Sequence, residues 1–138
     1  MIRVVVDTNC LLASIPPNSS GYALYLAFEA EQIEWVVSNE IITEYEEKLA
    51  QKYSPATANL ILTILTLAPN TLFQEAYYKW QLIERDHDDD KFVDVAIASN
   101  ANYLVTNDHH FDVLKTDGNL LLRVVTLQEF LNILDEIN

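Results

Sequence analysis

Four acidic groups are spread along the chain, each where a strand should give way to a helix. Asp7 follows the run Ile2–Val6 and precedes Thr8 and Asn9. Glu44 lies four residues after Glu40. Asp88, Asp89 and Asp90 lead through Lys91, Phe92 and Val93 to Asp94. Asp108 closes the stretch Leu104, Val105, Thr106, Asn107. Carboxylates at the carboxyl ends of parallel strands converge on one crevice, where open α/β sheets bind ligands. Several carboxylates in one crevice repel each other unless a cation lies between them. Ligands that are all oxygen favour a hard ion such as Mg²⁺ or Mn²⁺. The chemistry this predicts is metal-dependent cleavage of a phosphodiester.

Each acid also has a plainer role open to it. Asp7 ends a buried run and is either a site residue or a helix N-cap, a common role for Asp. Thr8 and Asn9 beside it could orient its carboxylate or a water. Asp90 and Asp94 are one helical turn apart and share a face. Their helix is otherwise apolar nearly all round, with Phe92, Val93, Val95, Ala96, Ile97 and Ala98. Such a helix is buried, and a buried carboxylate needs a cation or several donors. Asp88 and Asp89 fit a helix N-terminus equally well, since its dipole favours acids. Asp108 fits a turn or a cap. Glu44 with Lys48 makes a favourable i,i+4 surface pair.

The remaining chemistry is thin. His87, His109 and His110 lack the His-x-x-x-His or Cys-x-x-Cys spacing of a zinc site and read as exposed and inert. Protonated, His109 and His110 could touch a phosphate. With only Gly21 and Gly118 there is no Gly-rich phosphate loop. No Gly-x-Ser-x-Gly elbow occurs, which removes that class of serine hydrolase.

The elements that would position the acids follow from the apolar pattern. Ile2–Val6 suits a strand buried on both faces of a parallel sheet. Residues 16–21 carry strong breaker signals and make a loop. Tyr22–Gln32 reads as a helix and Trp35–Val37 as a short strand. Ser38 caps a helix from Asn39 to about Tyr53. Pro55 opens a third helix, which Pro69 ends. From Thr71 to Glu84 the pattern fits a strand or a short helix, because Tyr78, Trp80 and Leu82 alternate with Lys79 and Gln81. A helix follows from Lys91 to about Ala101, then a strand Tyr103–Thr106, a helical turn His110–Leu114 and a last strand Leu120–Val125. Thr126 with Glu129 matches a capping box that opens the final helix. Strands alternating with helices, without an Asn-Gly hairpin, predict a parallel α/β sheet.

At 138 residues the chain suits one domain, 1–138, with a real core. Its net charge of −13 argues against tight, broad electrostatic binding of nucleic acid. Nucleic-acid chemistry would then need a metal, a local basic strip or transient contact; a basic partner is another answer to the charge. The single cysteine, Cys10, allows no intrachain disulfide and fits a cytoplasmic setting. The N-terminus is unlike a signal peptide. The apolar stretch Leu60–Ala68 is far short of the roughly 20 residues that span a bilayer, so a membrane role is not expected.

The four segments together resemble the PIN-domain family of nucleases, and most closely its bacterial toxin-like branch. The resemblance rests on Val6–Asn9, Ser38–Glu44, Asp88–Ala98 and Tyr103–Phe111 in this order and spacing. It implies a small three-layer α/β/α domain with a central parallel sheet. It also implies an acid cluster of Asp7, Glu44, Asp90, Asp94 and Asp108 holding one or two Mg²⁺ or Mn²⁺ ions. Counting back from Thr106 favours Asp90 as the third acid; the local pattern also tolerates Asp89 with Asp94. Thr8, Asn9 and Thr106 become supporting or phosphate-contacting groups. The reaction implied is in-line hydrolysis of single-stranded RNA, with the ions lowering the pKa of water and stabilising the leaving oxygen. The toxin-like branch further implies an antitoxin partner and a homodimer.

Two other readings compete. A non-catalytic module of the same fold would use the acids as caps and its acidic surface to hold a basic protein. A phosphatase of the haloacid dehalogenase type also places an Asp after the first strand, but needs an acid two residues on, where Asn9 stands.

Overall fold

The computed structural model describes residues 1–83, 86–116 and 122–137. Five parallel strands form one sheet: β1 (Ile2–Val6), β2 (Ile33–Val37), β3 (Thr71–Phe73), β4 (Tyr103–Val105) and β5 (Arg123–Val125), in the order β3-β2-β1-β4-β5. Ile2 lies beside Ile33 and Val4 beside Trp35, while Val6 lies beside Val105. The helices are α1 (Thr8–Ser14), α2 (Tyr22–Glu29), α3 (Asn39–Lys52), α4 (Pro55–Leu67), α5 (Asp90–Ala98) and α6 (Leu127–Ile137). Helix α3 packs against α4 and α1, and α5 packs against β1, β2 and β4. The predicted parallel α/β sheet is therefore present. Val4, Val5, Val6, Val36, Val37, Leu104 and Val105 are fully enclosed in it, as a strand covered on both faces requires.

The caps follow the sequence. Ser38 Oγ accepts the Ile41 amide at the start of α3. The Thr126–Glu129 capping box is reciprocal: Glu129 N–H donates to Thr126 Oγ1 at 3.1 Å, and Thr126 N–H donates to Glu129 Oε1 at 3.0 Å. Helix α5 starts at Asp90 and ends at Ala98, short of the expected Ala101, where Asn100 turns left-handed (φ 55).

Two elements differ from expectation. Helix α1 has no counterpart in the sequence reading beyond Asp7 as a cap. Between Thr71 and Ile83 only Thr71–Phe73 is regular, as the edge strand β3; Glu84 lies outside the described residues. The alternation around Tyr78 and Trp80 does not build a strand. The amides of Trp80 and Ile83 donate instead to the carboxylates of Asp94 and Asp90. Gln81 between them is left-handed (φ 55), which breaks an extended run. Of the last predicted strand, residues 120 and 121 lie outside the described residues, and β5 begins at Arg123.

Candidate metal centre at the end of the sheet

The strand order turns at β1, whose neighbours are β2 on one side and β4 on the other. The gap beyond the carboxyl ends of β1 and β4 is the switch point at which such sheets bind ligands. Asp7 and Thr106 are the first residues past those two strands. The Asp7 amide donates to Val105 O at 3.0 Å, which fixes the two ends side by side.

Asp7 is only 6 % exposed. One oxygen accepts the Cys10 amide at 2.8 Å and so caps α1; the other accepts the Thr106 hydroxyl. Its two readings, cap and site residue, are thus compatible. Burial raises its pKa, the bonds from Thr106 and Cys10 oppose that, and the charge of Asp108 adds to the rise. Thr106 Oγ1 also accepts the Asp108 amide at 3.0 Å. Asp108 Oδ1 in turn accepts the His110 amide at 2.8 Å, the turn role expected for it. Thr106 therefore couples two acids. Asn9 is exposed.

Glu44 is tied to the same end by the Thr8 hydroxyl. Its cationic partner is Lys91, at 2.8 Å, rather than Lys48 of its own helix. Lys91 also donates to the Asp88 carbonyl, and its side chain is only 11 % exposed. The sequence could not pair these two, because α3 and α5 are far apart along the chain.

The three adjacent acids diverge. A helical residue is rotated about 100° from its neighbour, so Asp89 and Asp90 face different surroundings. Asp90 accepts the Ile83 amide at 2.9 Å and faces His87 Nδ1 at 2.7 Å. Asp94, 2 % exposed, accepts the Trp80 amide at 3.1 Å with one oxygen, while its Oδ2 is buried and, among the described residues, has no hydrogen-bond partner. Burial raises the Asp94 pKa; the Trp80 bond and Lys79 oppose that, while Asp90 and Glu40 add to it. Asp90 and Asp94 thus engage the 80–83 segment. Asp89 turns instead toward Asp108 and His110.

Asp89 stands at the N-cap of α5 yet makes no capping bond with its side chain. Its Oδ2 is buried and, among the described residues, has no hydrogen-bond partner. His110 Nδ1, equally enclosed and unpartnered, is 3.6 Å from it, beyond hydrogen-bond reach, and 3.4 Å from Asp108 Oδ1. Asp86, Asp89 and His110 bring three ligand atoms within 4.8 Å of one another. Burial, then the charges of Asp86 and Asp108, push the Asp89 pKa up to about 6, with His110 opposing the rise. A buried oxygen without a hydrogen bond among like charges is costly, and a divalent cation between Asp86, Asp89 and His110 would satisfy it. The residues present fit a metal ion. The two carboxylates suit a hard ion, and the imidazole nitrogen extends the set toward transition metals.

The sequence offers Asp89 as an alternative to Asp90 and His110 as an exposed histidine that could touch a phosphate when protonated, and it does not single out Asp86. A signal existed for His110, which lies where the chain turns back over Asp108. None existed for Asp86.

Comparison with known proteins places the fold. Residues 3–110 match the model of the PIN domain family. An uncharacterized protein of Methanocaldococcus jannaschii is 33 % identical over 150 residues, covering 94 % of this chain and 90 % of that one. The chain belongs to the PIN-domain family. Its fold is shared with VapBC2 from Rickettsia felis, solved with a promoter DNA fragment (TM-score 0.61, 21 % identity, 90 % of this chain and 99 % of that one). It is shared equally with Mycobacterium tuberculosis VapC20, a toxin that cleaves the sarcin-ricin loop (TM-score 0.59, 13 % identity, 87 % and 98 %). The PIN domain of Trypanosoma brucei RRP44 is also similar (TM-score 0.54, 16 % identity, 99 % and 83 %). Among the described residues no helix is long and apolar enough to cross a membrane.

Proposed function

We propose that this PIN domain is a metal-dependent endoribonuclease that hydrolyses single-stranded RNA and serves as the toxin of a toxin–antitoxin pair. The observation that carries the reading is the buried, unsatisfied Asp89 oxygen at the switch point, facing Asp108 and His110. Asp7, Asp89 and Asp108, with Asp86 and His110, would hold the first Mg²⁺ or Mn²⁺. Glu44 would serve a second ion or a water. The sequence-derived set of Asp7, Glu44, Asp90, Asp94 and Asp108 is narrowed in this reading: Asp90 and Asp94 support the site by fixing the neighbouring segment.

A bound divalent ion would neutralise the scissile phosphate and make a nearby water easier to deprotonate. The residues supply position. Asp7 is locked by Cys10 and Thr106, so its carboxylate needs no reordering. Thr8 and Lys91 hold Glu44 from two sides. Lys91 can also meet a phosphate oxygen. The antitoxin would be basic over the surface that meets this acid-rich end, since the net charge is −13. A cytoplasmic location follows from that role.

The test is cleavage of a labelled single-stranded RNA with Mn²⁺, with Mg²⁺ and with chelator, beside four variants. Asp7→Asn and Asp89→Asn should abolish cutting while the protein stays folded. Asp90→Asn and Asp94→Asn should retain a measurable rate. Wild-type cutting by both Asp7→Asn and Asp89→Asn would overturn the reading.

A further inference from the structure

The segment from Tyr77 to Ile83 presents three aromatic rings to solvent. Tyr77 is 92 % exposed, Tyr78 66 % and Trp80 45 %. In a sequence with two tryptophans, one is spent on a surface loop while Trp35 is buried. The Tyr78 and Trp80 rings touch, with centroids 4.6 Å apart and planes tilted by 59°. Lys79 lies between them in sequence and is itself more than half exposed, 3.7 Å from Glu40. The segment has no helix or strand to hold it. It is held by Ile83, which is buried in the core, and by the amide bonds of Trp80 and Ile83 to Asp94 and Asp90 on one face of α5. One oxygen of each of two carboxylates thus helps to keep the exposed aromatics in place.

That place adjoins the metal centre. Lys79 and Gln81 line a cavity of about 310 Å³ together with Asp88, Asp90, Lys91 and Asp94. Lys91 is the partner of Glu44, and Asp88 precedes Asp89. The aromatic segment and the proposed active site are therefore two ends of one surface.

We infer that Tyr78 and Trp80, with Tyr77 beside them, are the platform on which bases of a single-stranded RNA substrate stack as its phosphate enters the metal centre. The inference rests on the nuclease reading and supplies what that reading lacks. A net charge of −13 argues against gathering RNA by broad phosphate contacts. Stacking on aromatic faces needs no positive field, accepts any base and is available only where bases are unpaired. Lys79 supplies one local cation for the backbone between stacked bases. A protein partner would bury these rings equally, but an aromatic–aromatic–cation–aromatic run beside a phosphodiester-cutting centre matches a nucleotide strand in both its chemical parts.

The test uses the full chain in Mn²⁺ buffer and an eight-residue oligouridylate. Trp80 emission should be quenched on titration, and Trp80→Phe should remove that response while buried Trp35 still reports a folded protein. In single-turnover cleavage, Tyr78→Ala with Trp80→Ala should raise the half-saturating concentration roughly tenfold or more. The maximal rate and the Mn²⁺-induced thermal shift should hold within about twofold of wild type. Binding should weaken far less between 50 and 200 mM salt than the about thousandfold loss of a phosphate-driven binder. Unquenched Trp80 and unchanged half-saturation would overturn the inference. So would a double variant that loses only self-association, which assigns the rings to a second copy of the chain. Quenching without any RNA cleavage would sink the nuclease reading while leaving the platform in place.

Discussion

Lys91 is held where the acid-rich surfaces of α3 and α5 meet. It pairs with Glu44 at 2.8 Å and shares a cavity with Glu40, Asp88, Asp90 and Asp94. Nearly enclosed, it neutralises part of a cluster that would otherwise repel itself. Removing one partner of such a pair leaves the other charge unsatisfied, at a cost of about 3–5 kcal/mol when buried and less here, where Glu44 is partly exposed. Lys91→Met should therefore lower the stability of the metal-free protein by about 1–3 kcal/mol. The freed Glu44 adds a ligand, so Mn²⁺ should recover more stability in the variant than in wild type. Thermal unfolding of both proteins with and without Mn²⁺ reads this directly. Equal melting temperatures without metal would show that Lys91 carries no such role. At the same scale, Asp89 and Asp90 differ by one residue and about 100° of rotation. Mn²⁺ should raise the melting temperature of Asp90→Asn much as it does wild type, and leave Asp89→Asn nearly unmoved.

Helix α5 carries two jobs on two faces, and its division is testable as an element. Its Asp90–Asp94 face helps to tie down the 77–83 segment, while its N-terminus carries Asp89 toward the proposed metal centre. Asp94→Ala removes the acceptor of the Trp80 amide, a loss of about 1–2 kcal/mol. Amide exchange at Trp80 and its neighbours should speed up, with Mn²⁺ binding retained; unchanged exchange would mean the tether does not hold the segment. Much of this architecture is legible in the sequence. The apolar runs of β1, β2 and β4, the Ser38 cap and the Thr126–Glu129 box are local signals, and each produced its element. Asp7 and Asp108 are legible too, because an acid just past a buried strand either caps the next turn or serves a site, and both of these do the first. What resists reading is non-local. The alternation around Tyr78 and Trp80 resembles a strand, but side chains of α5 claim the amides that a neighbouring strand would need. The Glu44–Lys91 pair joins distant segments, so the local Lys48 was the visible partner. The choice within Asp88–Asp90 hinges on the first helical residue, which sequence locates only to within a turn.

For the molecule as a whole, the net charge of −13 makes stability, pH and metal inseparable. Burial raises the pKa of Asp7 and Asp94, and burial with neighbouring acids takes Asp89 to about 6. A group whose folded pKa lies above its unfolded value stabilises the fold below the unfolded pKa. That contribution is lost as pH rises through the folded pKa. For Asp89 the window runs from about 4 to about 6. Asp112 and Glu129 act in the opposite sense: bonds from His109 and Lys115 lower the first, and those from Thr126 lower the second. Their contribution is present above the usual carboxylate range and fades as pH falls. Both trends are mixed in the metal-free curve, so its slope alone decides nothing. The difference made by Mn²⁺ separates them, because Asp112 and Glu129 contribute equally with and without the ion. A cation binds deprotonated ligands and must displace the proton on Asp89 below about pH 6. At a free concentration a hundredfold above Kd it stabilises by about 2.7 kcal/mol, roughly 8 °C for a protein of this size. The Mn²⁺-induced rise in melting temperature should therefore approach that value at pH 7.5 and shrink to a small fraction of it at pH 5. Asp89→Asn should flatten the difference at both. A rise of the same size at pH 5 and pH 7.5 would mean that the ion binds groups already ionised at pH 5, and would remove Asp89 from the metal centre.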